Sequence, residues 1–190
     1  MRVCKAQLKS ISAYSQTRNH ESPKKKGESH DEYDQRTWRE KTHTDRDDQV
    51  IITQFALKNC IKDAARRLRE KVPDRGKEEF GKHFGSGVLV LESLRLGIKK
   101  QDLQALRLFV PSMPSKPNGP HVWKNFPLIP EWTGEVTFYV LDDLITREVF
   151  ERHLEFAGMF IGLGAMRCGN GAGIWGRFSV VKTVWSEEEF

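Results

Sequence analysis

The chain has 190 residues, of which 38% are apolar and 30% charged, and 31 Lys and Arg stand against 26 Asp and Glu for a formal net charge of +5. That length predicts a single domain over 1–190 with a hydrophobic core of its own, and the composition excludes an intrinsically disordered chain. A basic balance favours polyanion partners, because each Lys or Arg that neutralises a phosphate releases a counterion.

The opening residues alternate, with Cys4, Ala6, Leu8 and Ser10 on one face and Val3, Lys5, Gln7, Lys9 and Ile11 on the other. That period of two predicts a half-buried strand. Residues 13–49 change character to Ser, Gln, Asn, His and charges, with a Lys24–Lys25–Lys26 run and only Tyr14, Tyr33 and Trp38 as large rings. Such a stretch is too polar to bury itself and is expected as an exposed arm or insertion after the first strand. Thr53 is placed to cap a helix whose Leu57, Cys60, Ile61, Ala64, Ala65 and Leu68 recur at helical spacing; Pro73 and Gly76 are expected to end it. Its polar side carries Lys58, Lys62, Arg66, Arg67 and Arg69.

A second strand is expected near 87–98, then an irregular proline-rich connection over 111–130 and a strand at 135–141, EVTFYVL. A second helix starts near Thr146 with Val149, Phe150, Leu154, Ala157 and Ile161 as its stripe, and after a glycine-dense loop at 162–176 a strand at 177–185 leads into an acidic tail. The order strand, helix, strand, strand, helix, strand predicts an α+β chain of ferredoxin-like βαββαβ type, RRM-like, with two helices on one face of an antiparallel sheet. That fold hosts many functions and chooses none.

The loop GLGAMRCGNGAGIWGRF, 162–178, holds Gly162, Gly164, Gly169, Gly171, Gly173 and Gly176. Glycine lets a backbone approach a ligand closely, and exposed N–H groups hold phosphate. Arg167 and Arg177 add forked donors, and Trp175 offers a stacking face. The loop follows a helix rather than a strand, so it is neither a dinucleotide fingerprint nor a Walker loop. At the root of the arm, Ser12, Tyr14, Ser15, Arg18 and His20 join hydroxyls, a ring and cations suited to a sugar–phosphate backbone.

Around the first helix, Ile51-Ile52-Thr53-Gln54-Phe55-Ala56-Leu57-Lys58-Asn59 and Ala64-Ala65-Arg66 resemble the corresponding helix of the RAMP superfamily, the RNA-binding backbone and processing subunits of CRISPR effector complexes. The late glycine-rich loop with its arginines is similar to that family's as well. Thr53 stands where proline is common there, and Asn59 where glycine is common. The resemblance implies RNA near Lys58, Asn59, Arg66, Arg67 and residues 162–177, without a cofactor.

Neither an HxxxH nor an HExxH pair occurs among His20, His30, His43, His83, His121 and His153. Cys4, Cys60 and Cys168 form no CxxC, so no metal is expected and reduced thiols in a cytoplasmic protein fit best. The longest apolar run, 157–166, is short and glycine-broken, and no membrane partner is expected. The leading expectation is a non-catalytic single-stranded RNA-binding protein, with DNA as the other ligand phosphate contacts allow, that self-associates or joins a CRISPR-type complex. Two alternatives stay open: an endoribonuclease using His20, His30 or Asp45, and a protein-interaction module that imitates a CRISPR subunit and inhibits it.

Overall fold

The computed structural model describes residues 1–112, 118–170 and 173–187. Its strands are β1 (Arg2–Ser10), β2 (Tyr14–Ser15), β3 (Gln49–Ile52), β4 (Val88–Leu89), β5 (Leu94–Lys99), β6 (Gln104–Pro111), β7 (His121–Ile129), β8 (Thr133–Val140) and β9 (Phe178–Glu187). The helices are α1 (His30–Thr37), α2 (Gln54–Leu68), α3 (Phe80–Gly87) and α4 (Arg147–Phe156), the last continued by a π turn over Ala157–Ile161. The fold is mixed α+β.

Four antiparallel strands in the order β4-β8-β1-β9 form the main sheet. The alternation of β1 is realised: Cys4, Ala6 and Leu8 are buried, while Lys5 and Lys9 are exposed. Ala6 lies opposite Val136 on β8 and Thr183 on β9. Above this face sits α4, whose Phe150 ring is 5.3 Å from Phe138 and 5.4 Å from Trp185. Helix α2 packs beside α4 through Leu57, Cys60, Ile61, Ala64 and Ala65, all buried. Each large apolar side chain removed from water here stabilises the fold by roughly 1.5–3 kcal/mol.

Thr53 caps α2, its hydroxyl accepting from Ala56 N, and Thr146 caps α4 by accepting from Val149 N. Helix α2 ends earlier than the sequence predicts. Arg69 turns left-handed at φ 52°, four residues before Pro73, and its N–H closes on the Ala65 carbonyl.

The strand expected at 87–98 is two strands in different sheets, β4 beside β8 and β5 beside β3. Before it lies α3, hidden by Gly81, Gly85 and Gly87. Phe80 and Phe84, one turn apart and fully buried, hold it in place, with Phe84 stacked on His153 at 4.4 Å. Packing here outweighs the poor helix propensity of glycine.

The proline-rich connection is also structured. Residues 104–111 and 121–129 form the hairpin β6–β7, paired from Gln104 with Leu128 to Pro111 with His121. Residues 13–49 are folded rather than extended: they carry β2, α1 and a 3-10 turn over Trp38–Lys41, packed along β7. Asp34 accepts from Asn125 N at 2.6 Å and Asn125 Nδ2 at 2.8 Å, and Lys41 Nζ donates to the Asn125 carbonyl at 2.8 Å.

Candidate nucleic-acid interface

The glycine-rich loop is zipped to itself and to the start of the chain. Trp175 N donates to Met166 O at 3.2 Å and Cys168 N to Trp175 O at 3.1 Å. Ala165 N donates to Ser15 O and Gly176 N to Ala13 O, each at 2.8 Å. Gly176 has φ +76°, and a Cβ there would fall on the Leu163 carbonyl oxygen. A Cβ on Gly173 would fall on the carbonyls of Met166 and Arg167. At both positions glycine is required by the loop's own backbone packing. Gly171 lies outside the described residues.

The loop arginines are engaged internally. Arg167 reaches Asp63 on α2 at 3.3 Å and Asn170 Oδ1 at 3.3 Å. Arg177 donates to the carbonyls of Met159 at 3.1 Å and Ile174 at 3.2 Å. Trp175 is half-buried, and Ile174 beside it is exposed.

On α2, Lys58 differs from the solvent-facing group its spacing predicts. Its ammonium caps the end of α3, donating to Phe84 O at 2.6 Å and to Val88 O. Burial, with Lys62 adding to it, pushes its pKa down to about 8. Asn59 is exposed and accepts from Lys62, while Arg67 donates to Phe160 O at 3.1 Å. Arg66 is exposed, and its guanidinium makes no hydrogen bond or ion pair among the described residues. The Asp63–Arg167 pair joins this helix face to the loop.

At the arm root the residues separate. Ser12 Oγ accepts from Arg177 N at 3.0 Å. Tyr14 and Ser15 are buried, the Tyr14 ring edge-on to Trp132 at 6.4 Å, and burial pushes its phenol pKa well up. Its ring therefore offers no open stacking face. Arg18 is exposed, and His20 stacks on Tyr33 at 6.1 Å.

The most conspicuous exposed surface lies on the β6–β7 hairpin, whose second strand falls within the connection expected to be irregular. On the β6–β7 hairpin Phe109 and Trp123 are directly opposite, 57% and 50% exposed, with ring centroids 5.2 Å apart. His121 lies 5.4 Å from Phe109, and the Arg107 guanidinium lies 5.2 Å over the Trp123 ring. Between this hairpin and α1 opens a cleft of about 830 Å³, lined by His30, Tyr33, Phe109, Trp123 and Lys124 among others. Exposed aromatic surface of this kind marks interaction sites. Prolines at 111, 114, 117 and 120 disguise the hairpin; the alternation of rings in Phe109 and His121-Val122-Trp123 is the signal that identifies it.

Of the residues the endoribonuclease alternative would use, His30 is exposed and lines the hairpin cleft, while Asp45 is partnered. Asp45 Oδ1 accepts from Asp47 N at 2.9 Å and Gln49 N at 3.0 Å, and its Oδ2 pairs with Arg95 at 2.9 Å. His20 is stacked on Tyr33 at 6.1 Å, and its buried Nδ1 has no hydrogen-bond partner among the described residues.

No protein-family model matches the chain, and no curated protein does. Among solved structures it is similar to a chain in the cryo-EM structure of the Type III-B Cmr-beta bound to cognate target RNA, at 11% identity and a TM-score of 0.49. That match covers 97% of this chain, which spans 60% of the length of its counterpart. It is also similar to Cmr6 from Pyrococcus furiosus, at 15% identity and a TM-score of 0.49, over 94% of this chain and 97% of that one. No described helix is long and apolar enough to cross a membrane.

Proposed function

We propose that this chain is a non-catalytic, sequence-tolerant, single-stranded RNA-binding protein built like a CRISPR backbone subunit. The reading takes β1, α2, β4, β8, α4 and β9 as a ferredoxin-like βαββαβ unit, supported by the strand order β4-β8-β1-β9 and the placement of α2 and α4. On this reading the protein works in the cytoplasm, self-associated or within a CRISPR-type complex.

The observation that carries it is the Phe109–Trp123 pair, held half in water, with the Arg107 guanidinium over Trp123 and itself ion-paired to Asp31 at 3.0 Å. Every base has a π face, so paired exposed rings suit unstacked bases without choosing among them. Arg66 and Arg18, which have no ion-pair partner among the described residues, supply charge for phosphates. The hold of Arg95 and two backbone N–H groups on Asp45 favours binding over cleavage by that carboxylate.

Matched RNA and DNA single strands of one sequence, titrated against the purified protein, test the ligand. Tighter RNA binding, with the labelled strand intact after prolonged incubation, is the expected result. Failure to bind either strand at low salt refutes the binding role, and accumulation of defined fragments refutes the non-catalytic one.

A further inference from the structure

Away from the hairpin, a second cleft of about 760 Å³ opens between the arm root, the turn before β3, and β5. It is lined by Arg18, Thr44, Asp45, Arg46, Asp47 and Arg95. Three arginines stand against two aspartates in this lining, a positive balance that favours an anion. The guanidiniums of Arg18 and Arg46 make no ion pair or hydrogen bond among the described residues. The third, Arg95, is held on Asp45 at 2.9 Å.

The walls are fixed. Arg18 N donates to Lys41 O at 2.7 Å, which sets the direction in which the arm leaves β2. Thr44 bridges Val50, Asp45 N donates to Gln49 O at 2.9 Å, and Asp48 sits at φ 57°, so Arg46 projects from a closed turn. Arg95 comes from β5, in register with Ile51. Asp45 accepts from two backbone N–H groups at Oδ1, and its Oδ2 offsets the charge of Arg95 at 2.9 Å. Asp47 is the remaining anion, exposed at the rim.

We propose that this cleft is a phosphate-binding site, in which Arg18 and Arg46 grip a phosphate group with Arg95 behind them. Guanidinium is the side chain suited to forked bonding of phosphate oxygens, and here the backbone fixes where the Arg18 and Arg46 side chains begin. In its RNA-bound form the site rests on the single-strand reading above. The phosphate is either a strand terminus or an internal phosphodiester.

The test compares the parent with Arg18→Ala/Arg46→Ala and with Arg18→Lys/Arg46→Lys. Neither guanidinium holds the fold, so all three proteins should unfold alike. Calorimetry with inorganic phosphate should give saturable binding to the parent, lost in the alanine variant and weakened in the lysine variant, which keeps the charge but not the fork. Titration with 5′-phosphorylated and 5′-hydroxyl RNA of one sequence should show a loss of roughly tenfold or more in the alanine variant. If the loss is confined to the phosphorylated strand, the source is a terminus; if it is equal for both strands, with a salt slope lower by about two phosphates, the source is internal. Both patterns support the site. It is overturned if the alanine variant matches the parent in phosphate binding, RNA affinity and salt slope. RNA binding that persists in that case leaves the single-strand reading standing, whereas phosphate binding without RNA binding leaves only this site.

Discussion

At the scale of single residues, His153 shows how burial becomes a pH effect. Its side chain is fully buried between Phe80 and Phe84, Nδ1 donates to Val149 O at 2.7 Å, and Nε2 has no hydrogen-bond partner. Desolvation by burial holds its pKa below the ordinary value, against the opposing pull of the Val149 carbonyl and Glu70. The unfolded chain therefore takes up this proton first as pH falls through about 6.5, so the contribution is whole above that pH and lost below it. Urea midpoints should fall between pH 7 and 5 in the parent and fall less in His153→Phe; parallel profiles would remove His153 from the account. Lys58 gives a second prediction. Lys58→Met strands the Phe84 and Val88 carbonyls it caps and should cost about 1–3 kcal/mol in chemical unfolding. A variant as stable as the parent would show that solvent satisfies those carbonyls.

At the scale of elements, α2 and α4 were legible because capping threonines and complete apolar stripes agree in each. The strand at β8 was legible from its β-branched and aromatic content. Helix α1 escaped because only one of its residues, Thr37, is buried, yet its start is written in Ser29-x-x-Glu32: the serine hydroxyl accepts from Glu32 N and the Glu32 carboxylate from Ser29 N. Ser29→Ala should cost about 1 kcal/mol and speed amide exchange across 30–37. Unchanged exchange there would mean that the Asp34–Asn125 and Lys41 contacts suffice alone. In the glycine loop the glycines were visible but their purpose was not, since close backbone approach is a tertiary fact. Gly173→Val puts side-chain atoms onto two backbone carbonyls and should lower the unfolding midpoint markedly. A folded, fully stable Gly173→Val protein would contradict that packing.

At the scale of the whole molecule, the net charge of +5 pointed toward a polyanion without locating it, because the Lys and Arg best placed by the sequence, Lys58, Arg167 and Arg177, have internal partners. Arg167, Arg177 and Lys58 hold the loop and helices together, and the exposed aromatics stand on a hairpin that proline content concealed. On the proposed function, the hairpin rings stack on the bases of a single strand. The most direct test is the affinity of Phe109→Ala/Trp123→Ala for labelled single-stranded RNA, read by anisotropy beside urea unfolding of the same protein. The prediction is a binding loss of about 1–3 kcal/mol per stacked base with an unfolding midpoint close to the parent's. A folded double variant that binds the strand as tightly as the parent would contradict it.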